Sequence, residues 1–129
     1  MLNRVELIGR LVRDPELRYT PGGTPVCTLA LMTRERVTNA AGQPEERTEQ
    51  VEVVAWRRLA ETCSKHLTRG RLVHVEGRLH SEPWEDRAGE RHLRTEVVAR
   101  RLRFLVRSDG EPLPASEDVL DPSVEDRWE

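Results

Sequence analysis

Cysteine, aromatic residues and long apolar runs are all scarce in this sequence of 129 residues. The only two cysteines, Cys27 and Cys63, are far apart and lie among apolar or small residues, which excludes a disulfide framework or a zinc quartet and indicates buried structural thiols. No apolar run approaches the roughly 18 residues that a membrane span requires, and charges interrupt the amino terminus where a signal peptide would be apolar. We therefore expect a cytoplasmic protein without a membrane partner.

Charge is abundant and unevenly distributed. Charged residues make up 34% of the chain and apolar residues 36%, so we expect one domain with a thin core. Residues 1–107 contain 20 basic and 15 acidic side chains, a net charge of +5, whereas residues 108–129 contain 1 and 8, a net charge of −7. The basic body indicates a polyanionic partner. All basic residues except Lys65 are arginines, which suit phosphate contacts, although genomic base composition explains this bias equally well.

Apolar periodicity predicts five strands and one helix. Strands are predicted within residues 3–11, 26–34, 48–57, 73–80 and 93–99, with hairpin tips near Gly42 and Gly89. Leu59, Cys63 and Leu67 recur at helical spacing and predict a short amphipathic helix between the third and fourth strands, with Gly70 as its stop. Three prolines and two glycines within residues 14–25 exclude a helix there and indicate a structured connection.

This order of elements is that of an all-β OB-fold, a five-stranded Greek-key barrel with one short helix between strands 3 and 4. We expect the barrel to occupy residues 1–106. Residues 107–129 are expected to form a disordered acidic tail, because their composition cannot repay the entropy of ordering. An SH3-like barrel or a small α+β sheet domain would fit the same order, and no fold by itself gives a function.

Four segments of the chain, in matching order and spacing, resemble the bacterial single-stranded DNA-binding protein family. They are NRVELIGRLVRDPELRYTPGGTPV at residues 3–26, VVAWRRLAE at 53–61, VHVEGRL at 73–79 and TEVVA at 95–99. The resemblance covers about residues 1–105. It implies an OB-fold that binds single-stranded DNA without strong sequence preference, assembles as a homotetramer or homodimer, and acts near the nucleoid in replication, repair, recombination or DNA uptake.

The resemblance also implies a mode of binding, in which bases stack on aromatic rings and arginines contact phosphates. Trp56 and Trp84 match aromatic positions of the family, but Val37 and Gln50 stand at two positions that are commonly aromatic. Glu52 and Glu82 are acidic where relatives are basic, and they should oppose a phosphate backbone. The arginines expected at the interface are Arg4, Arg10, Arg34, Arg36, Arg58, Arg69 and Arg78.

Several of these residues have a structural interpretation as well. Trp56 also fits core packing on a half-buried strand, whereas the polar neighbours of Trp84 leave it nothing obvious to pack against. Tyr19 is expected to be buried within its loop. The histidines lack metal-ligand spacing with any carboxylate or cysteine, so we expect no metal site: these are His66, His74, His80 and His92. No catalytic motif is present, and we expect neither an enzyme nor a cofactor.

The acidic tail and the missing aromatics leave two further questions open. The tail is a candidate for recruiting replication and repair proteins through Glu125, Asp126 and Trp128, or else it is only a solvating extension. A different function is also possible for the whole chain: a protein-interaction OB module, resembling primosome accessory proteins, with weak nucleic-acid binding. Val37, Gln50, Glu52 and Glu82 favour that alternative, whereas the two tryptophans and the basic body favour DNA binding.

Overall fold

The computed structural model describes residues 1–105 and the backbone of residues 118–120. Within these ranges the chain forms seven strands and one helix. They are β1 (Val5–Leu11), β2 (Glu16–Tyr19), β3 (Pro25–Thr38), β4 (Pro44–Trp56), α1 (Arg57–His66), β5 (Leu72–Glu85), β6 (Arg91–Phe104) and β7 (Asp118–Leu120).

Five of the strands close into a barrel with the order β1, β5, β6, β4, β3 and back to β1. The ring closes because β1 pairs with β5 over Val5–Arg10 and pairs with β3 through Arg10 and Leu11 at its end. All of these pairings are antiparallel except that of β4 with β6, which is parallel. The predicted OB-fold is thereby confirmed, with α1 between the third and fourth barrel strands.

The core consists of alternate residues from every barrel strand. Leu29, Val53 and Val75 are fully buried, as their inward positions on three different strands require. α1 packs on the core through Leu59 and Cys63, and Leu67 directly after the helix joins them, at the spacing that the sequence predicts. The thiols of Cys27 and Cys63 are both buried, as expected, and burial raises the pKa of Cys27 to about 11.

Strand β2 is not predicted by the sequence. It lies in the proline-rich connection and pairs antiparallel with the start of β3, Tyr19 being opposite Pro25. Pro25 is tolerated because it is the first residue of its strand. Since β2 pairs with no other strand, its outer side faces solvent, and Tyr19 is 62% exposed. The expectation that Tyr19 is buried within its loop is therefore wrong.

Glycines and Asx turns define the connections. The two hairpin tips contain Gly42 and Gly89, both at positive φ, close to where the sequence predicts them. In each tip a side-chain oxygen, from Asn39 or Asp86, accepts two backbone N–H groups. Gly70 also has positive φ, but α1 ends at His66, so this glycine belongs to the turn before β5 rather than to the helix stop.

A short strand, β7, lies within the segment that the composition predicts to be disordered. β7 pairs antiparallel with residues 101–103 of β6, beyond the point where β4 pairs with that strand. Three residues are too few for periodicity to predict a strand, and the pairing depends on a β6 edge that only the fold exposes. Among the described residues, no helix is long and apolar enough to cross a membrane.

Candidate nucleic-acid interface

Side chains that point away from the core on β3, β4, β6 and β5 lie on one side of the sheet, which we call the outer face. The strand register places these residues on the same side of the sheet: Val54 of β4 is opposite Val98 of β6, which is opposite Arg78 of β5, and both valines are buried. Alternation along each strand then places the neighbouring outward residues. The outer face includes Met32, Arg34, Arg36, Gln50, Glu52, Trp56, Arg78, His80, Glu82, Trp84, His92, Arg94 and Glu96.

Trp84 lies at the hairpin tip end of the outer face and is 50% exposed. Its indole stacks on the imidazole of His92, the residue directly opposite on β6, with ring centroids 4.7 Å apart and planes inclined by 28°. The expectation that Trp84 has nothing to pack against is therefore wrong. His92 supports one part of the indole and leaves half of it accessible to a base.

The turn beneath Trp84 fixes His92. Asp86 Oδ2 lies 2.7 Å from His92 Nε2, while Asp86 Oδ1 accepts the backbone N–H groups of Ala88 and Glu90. The hydrogen bond from His92, followed by those from the backbone, holds the pKa of Asp86 below its usual value. This carboxylate therefore couples the shape of the turn to the orientation of the imidazole.

Trp56 lies at the opposite end of the outer face. It is half-buried, is the last residue of β4, and lies opposite Val26 of β3. The next residue, Arg57, has a φ of 58°, a left-handed conformation that turns the chain sharply into α1. Arg58 follows in the first turn of the helix, where it is exposed. Trp56 therefore keeps intermediate exposure and directly precedes two arginines in the chain.

The acidic residues of the outer face have basic partners. Glu52 bonds to Arg94, and this contact raises the pKa of the guanidinium. Glu82 Oε1 lies 2.9 Å from His80 Nε2. Arg94 therefore reduces the expected opposition between Glu52 and a phosphate backbone, and it also lies directly opposite Glu82 in the strand register. Glu96 is 3.8 Å from Arg94 through Oε2 and Nε, and its desolvation raises the pKa of its carboxyl.

The distal part of the β3–β4 hairpin, residues 32–50, contributes arginines but no aromatic ring. Arg34 Nε lies 2.8 Å from Glu46 Oε1, and Arg36 is exposed opposite Glu46 in the strand register. Gln50 lies on the outer face opposite Met32, so an aromatic position there is filled by an amide. Val37 belongs to the other side of the hairpin by alternation.

Comparison with known proteins identifies the family. The sequence profile of the single-strand binding protein family matches residues 2–105. The chain belongs to this family. It is 41% identical over 132 residues to the single-stranded DNA-binding protein of Caldanaerobacter subterraneus subsp. tengcongensis, covering 100% of this chain and 87% of the relative. It is 41% identical over 124 residues to that of Thermotoga maritima, covering 96% and 88%.

Two solved structures from the same class of protein have a similar fold. The Plasmodium falciparum SSB in complex with ssDNA aligns with a TM-score of 0.76 at 28% identity, covering 81% of this chain and 96% of the other. A deletion mutant of the single-stranded DNA binding protein from Thermus aquaticus aligns with a TM-score of 0.74 at 33% identity, covering 92% and 54%.

Some arginines predicted from the family resemblance lie away from the outer face. Arg10 donates from Nη1 to the carbonyl of Gly70, and the backbone N–H of Arg69 donates to Asp14. These contacts place both arginines near the carboxyl end of α1. Arg4, by contrast, precedes β1, lies 3.7 Å from Glu6 and lines a pocket together with Arg78 of the outer face. The candidate tail residues lie outside the described residues; they are Glu125, Asp126 and Trp128.

Three residues near the outer face of this single-strand binding protein family member are not predicted by the sequence. His92 supports Trp84, Arg94 bonds to Glu52, and Arg100 lies in a β-bulge of β6. The sequence does contain an indication that His92 pairs with Trp84, because the Asp-x-x-Gly turn between them sets the register of the hairpin. The sequence contains no indication that Arg94 contacts Glu52, because 42 residues separate them along the chain.

Two histidines have carboxylate neighbours in the fold, contrary to the expectation from spacing. His74 lies with Glu6 and Glu76, and His92 lies with Asp86 and Glu90, in groups close enough to ligate a cation. The second group already has a structural role, since both oxygens of Asp86 accept hydrogen bonds in the turn. In the first group, His74 Nε2 lies 3.5 Å from Glu6 Oε1.

Proposed function

We propose that this chain binds single-stranded DNA along its outer face. The observation that carries the proposal is the pair of tryptophans on one surface, with the exposed Trp84 held on His92 at one end and the partly buried Trp56 at the other. Unpaired bases stack on such rings for about 1–3 kcal/mol each, whatever the base. Membership of the single-strand binding protein family supports the same conclusion.

Phosphate contacts come from arginines on the same surface. Arg34, Arg36 and Arg78 lie on the outer face, and the first two extend along the β3–β4 hairpin. Their guanidinium groups release counterions when they contact a nucleic-acid backbone. Because Arg94 pairs with Glu52 and lies opposite Glu82 in the strand register, the local field does not repel the strand as strongly as the sequence suggests. Stacking and phosphate contacts read no base edge, so we expect little sequence preference.

Assembly into a homodimer or homotetramer is a further part of the proposal. Residues 5–8 of β1 pair with β5 on one side only, since the pairing of β1 with β3 begins at Arg10. Ile8 on this segment is 55% exposed, which adds apolar area beside an open strand edge. Light scattering on the protein eluted from a size-exclusion column gives the mass of the assembly. A strictly monomeric chain at micromolar concentration would contradict assembly.

The proposed biological role follows from binding. A protein that coats single strands without sequence preference acts wherever duplexes are opened, in replication, repair, recombination or DNA uptake, and it is found with the nucleoid. Recruitment of enzymes by the acidic tail remains a prediction for residues outside the described ranges. A protein-interaction module with weak DNA binding would need the outer face for a partner rather than for bases.

A direct test separates these two functions. Fluorescence anisotropy of a labelled oligo(dT) is measured with the full chain, with an unlabelled duplex of the same length as competitor. We expect tight binding of the single strand and at least tenfold weaker competition by the duplex. Equal binding of both, or binding only at protein concentrations far above the micromolar range, would reject the proposed function and favour the interaction module.

A further inference from the structure

An open pocket of about 340 Å³ lies where the amino-terminal segment crosses β5 and β6. Three arginines and one carboxylate line it: Arg4, Arg78, Arg100 and Glu76. The three arginines come from three different elements, namely the segment before β1, strand β5 and strand β6. The pocket therefore carries an excess of positive charge in a small volume.

A β-bulge aims Arg100 at this pocket. On β6, Ala99 is opposite Gly77 and Arg101 is opposite Glu76, so Arg100 is the extra residue between two paired positions. A bulge of this kind redirects one side chain out of the regular alternation. Without it, Arg100 would follow the ordinary register of β6. Arg100 is exposed, which leaves its guanidinium free to contact a ligand in the pocket.

The strand opposite the bulge can accept this geometry only with glycine. A Cβ placed on Gly77 would lie 2.1 Å from the carbonyl oxygen of Val98, which no real Cβ contact allows. The absence of a side chain at Gly77 thus permits β5 and β6 to approach closely at the floor of the pocket.

Asn3 fixes the third arginine. Its Nδ2 donates to the carbonyl of Leu79 and its Oδ1 accepts the N–H of Leu79, both at 2.9 Å. The amide side chain thereby imitates a strand pairing and holds the amino-terminal segment on β5. Arg4, the next residue, is placed at the rim of the pocket by this contact, although Glu6 lies 3.7 Å from its guanidinium.

We propose that this pocket binds a phosphate group. Guanidinium groups match phosphate in charge and in planar hydrogen-bonding geometry, and three of them outweigh the single carboxylate of Glu76. The position of the pocket identifies the source of the phosphate. Arg78 lies in one row with Val98 and Val54, and Trp56 follows Val54 by two residues on the same face. This part of the inference rests on the proposed function: an internucleotide phosphate enters the pocket next to the base stacked on Trp56.

The test compares two arginines of equal charge. Arg100→Gln removes the bulge arginine, and Arg13→Gln removes an exposed arginine between β1 and β2 that does not line the pocket. Oligo(dT) binding is measured for both variants across a salt series. For Arg100→Gln we expect about tenfold weaker binding at low salt and a slope of log affinity against log salt that is smaller by about 0.7, the contribution of one single-strand phosphate. Arg13→Gln is expected to change both the affinity and the salt slope by less than Arg100→Gln does.

A second arm uses inorganic pyrophosphate and the Nε–H resonances of arginine. If the pocket binds phosphate, pyrophosphate should shift the Arg100 resonance, and this shift should disappear in Arg4→Gln. If that result is obtained but Arg100→Gln binds DNA as well as Arg13→Gln does, the pocket is a phosphate site that DNA does not occupy. Arg100→Gln and Arg13→Gln behaving alike in both arms would overturn the pocket altogether. If the unmodified chain binds no DNA, the proposed function fails, and the pyrophosphate arm alone still decides the pocket.

Discussion

Trp84 and His92 face each other across the β5–β6 hairpin, with their rings stacked at a centroid distance of 4.7 Å. The imidazole is held in turn by Asp86, whose other oxygen accepts two backbone N–H groups of the turn. A chain of contacts therefore runs from the turn to the indole. Such preorganisation lowers the entropy lost when a base stacks on the ring.

Trp84→Ala tests the stacking role of the indole. We expect single-stranded DNA affinity to fall by about 1–3 kcal/mol, because one stacked base is lost. Trp56→Ala is expected to have a similar effect. Binding is measured by anisotropy with labelled oligo(dT), and circular dichroism verifies that each variant is folded. Unchanged affinity in both folded variants would remove aromatic stacking from the account.

His92 is predicted to act as a positioning residue through Trp84. His92→Ala should weaken binding by about 0.5–1.5 kcal/mol, the usual value of an aromatic pair, whereas His92→Phe should retain most of the affinity because a ring still supports the indole. The emission of Trp84 should also shift in His92→Ala before DNA is added. Equal losses for Ala and Phe would indicate that the imidazole contributes its charge or hydrogen bonds instead.

Glu96 gives a prediction about pH. Desolvation raises the pKa of Glu96 above its ordinary value of 4.5. Ionisation of this carboxyl therefore destabilises the folded state as the pH rises above 4.5. Glu96→Gln should therefore raise the melting temperature at pH 7, and the gain should disappear as the pH falls below 4.5, where the carboxyl becomes protonated in the folded and the unfolded chain alike. The same variant should bind DNA more tightly, since one negative charge leaves the outer face.

The control for Glu96 is Glu45→Gln, which removes an exposed charge at the start of β4. A gain of equal size for both variants at pH 7 would show that total charge, rather than the desolvation of Glu96, determines the result.

Gly77→Ala tests the close approach of β5 and β6. The added Cβ would meet the Val98 carbonyl at 2.1 Å, so we expect a loss of about 1–3 kcal/mol in the free energy of unfolding, or more if the strands cannot separate. Gly22→Ala is the matched control, because its added Cβ would have only Thr20 Oγ1 within 4 Å, at 3.9 Å. Denaturant unfolding gives both values, and equal stability of the two variants would contradict the packing argument.

Local pattern predicts the fold well because a barrel with one polar side imposes alternation on its strands. The spacing of Leu59, Cys63 and Leu67 sufficed to predict the buried face of α1. Strand β2 is not predicted by the sequence because it is defined by its pairing with β3, and no local pattern in a proline-rich segment reveals that pairing.

The candidate site was only partly predictable, for a related reason. Trp56 and Trp84 follow from family resemblance, but their surroundings depend on register between distant strands. The bond of Arg94 to Glu52 joins β6 to β4, and the direction of Arg100 depends on a bulge between β5 and β6. Contacts of this kind change the role of a charged residue, but the residues next to it in the sequence do not reveal them.

The central claim is that accessible tryptophans and arginines on the outer face bind a single strand. The most direct measurement is a fluorescence titration with oligo(dT) of increasing length across a salt series, in a Trp128→Phe variant so that only Trp56 and Trp84 report. The account predicts strong quenching that saturates at a defined length, and log affinity that falls with log salt by about 0.7 for each phosphate contacted. Binding without quenching, or an affinity that salt does not change, would contradict it.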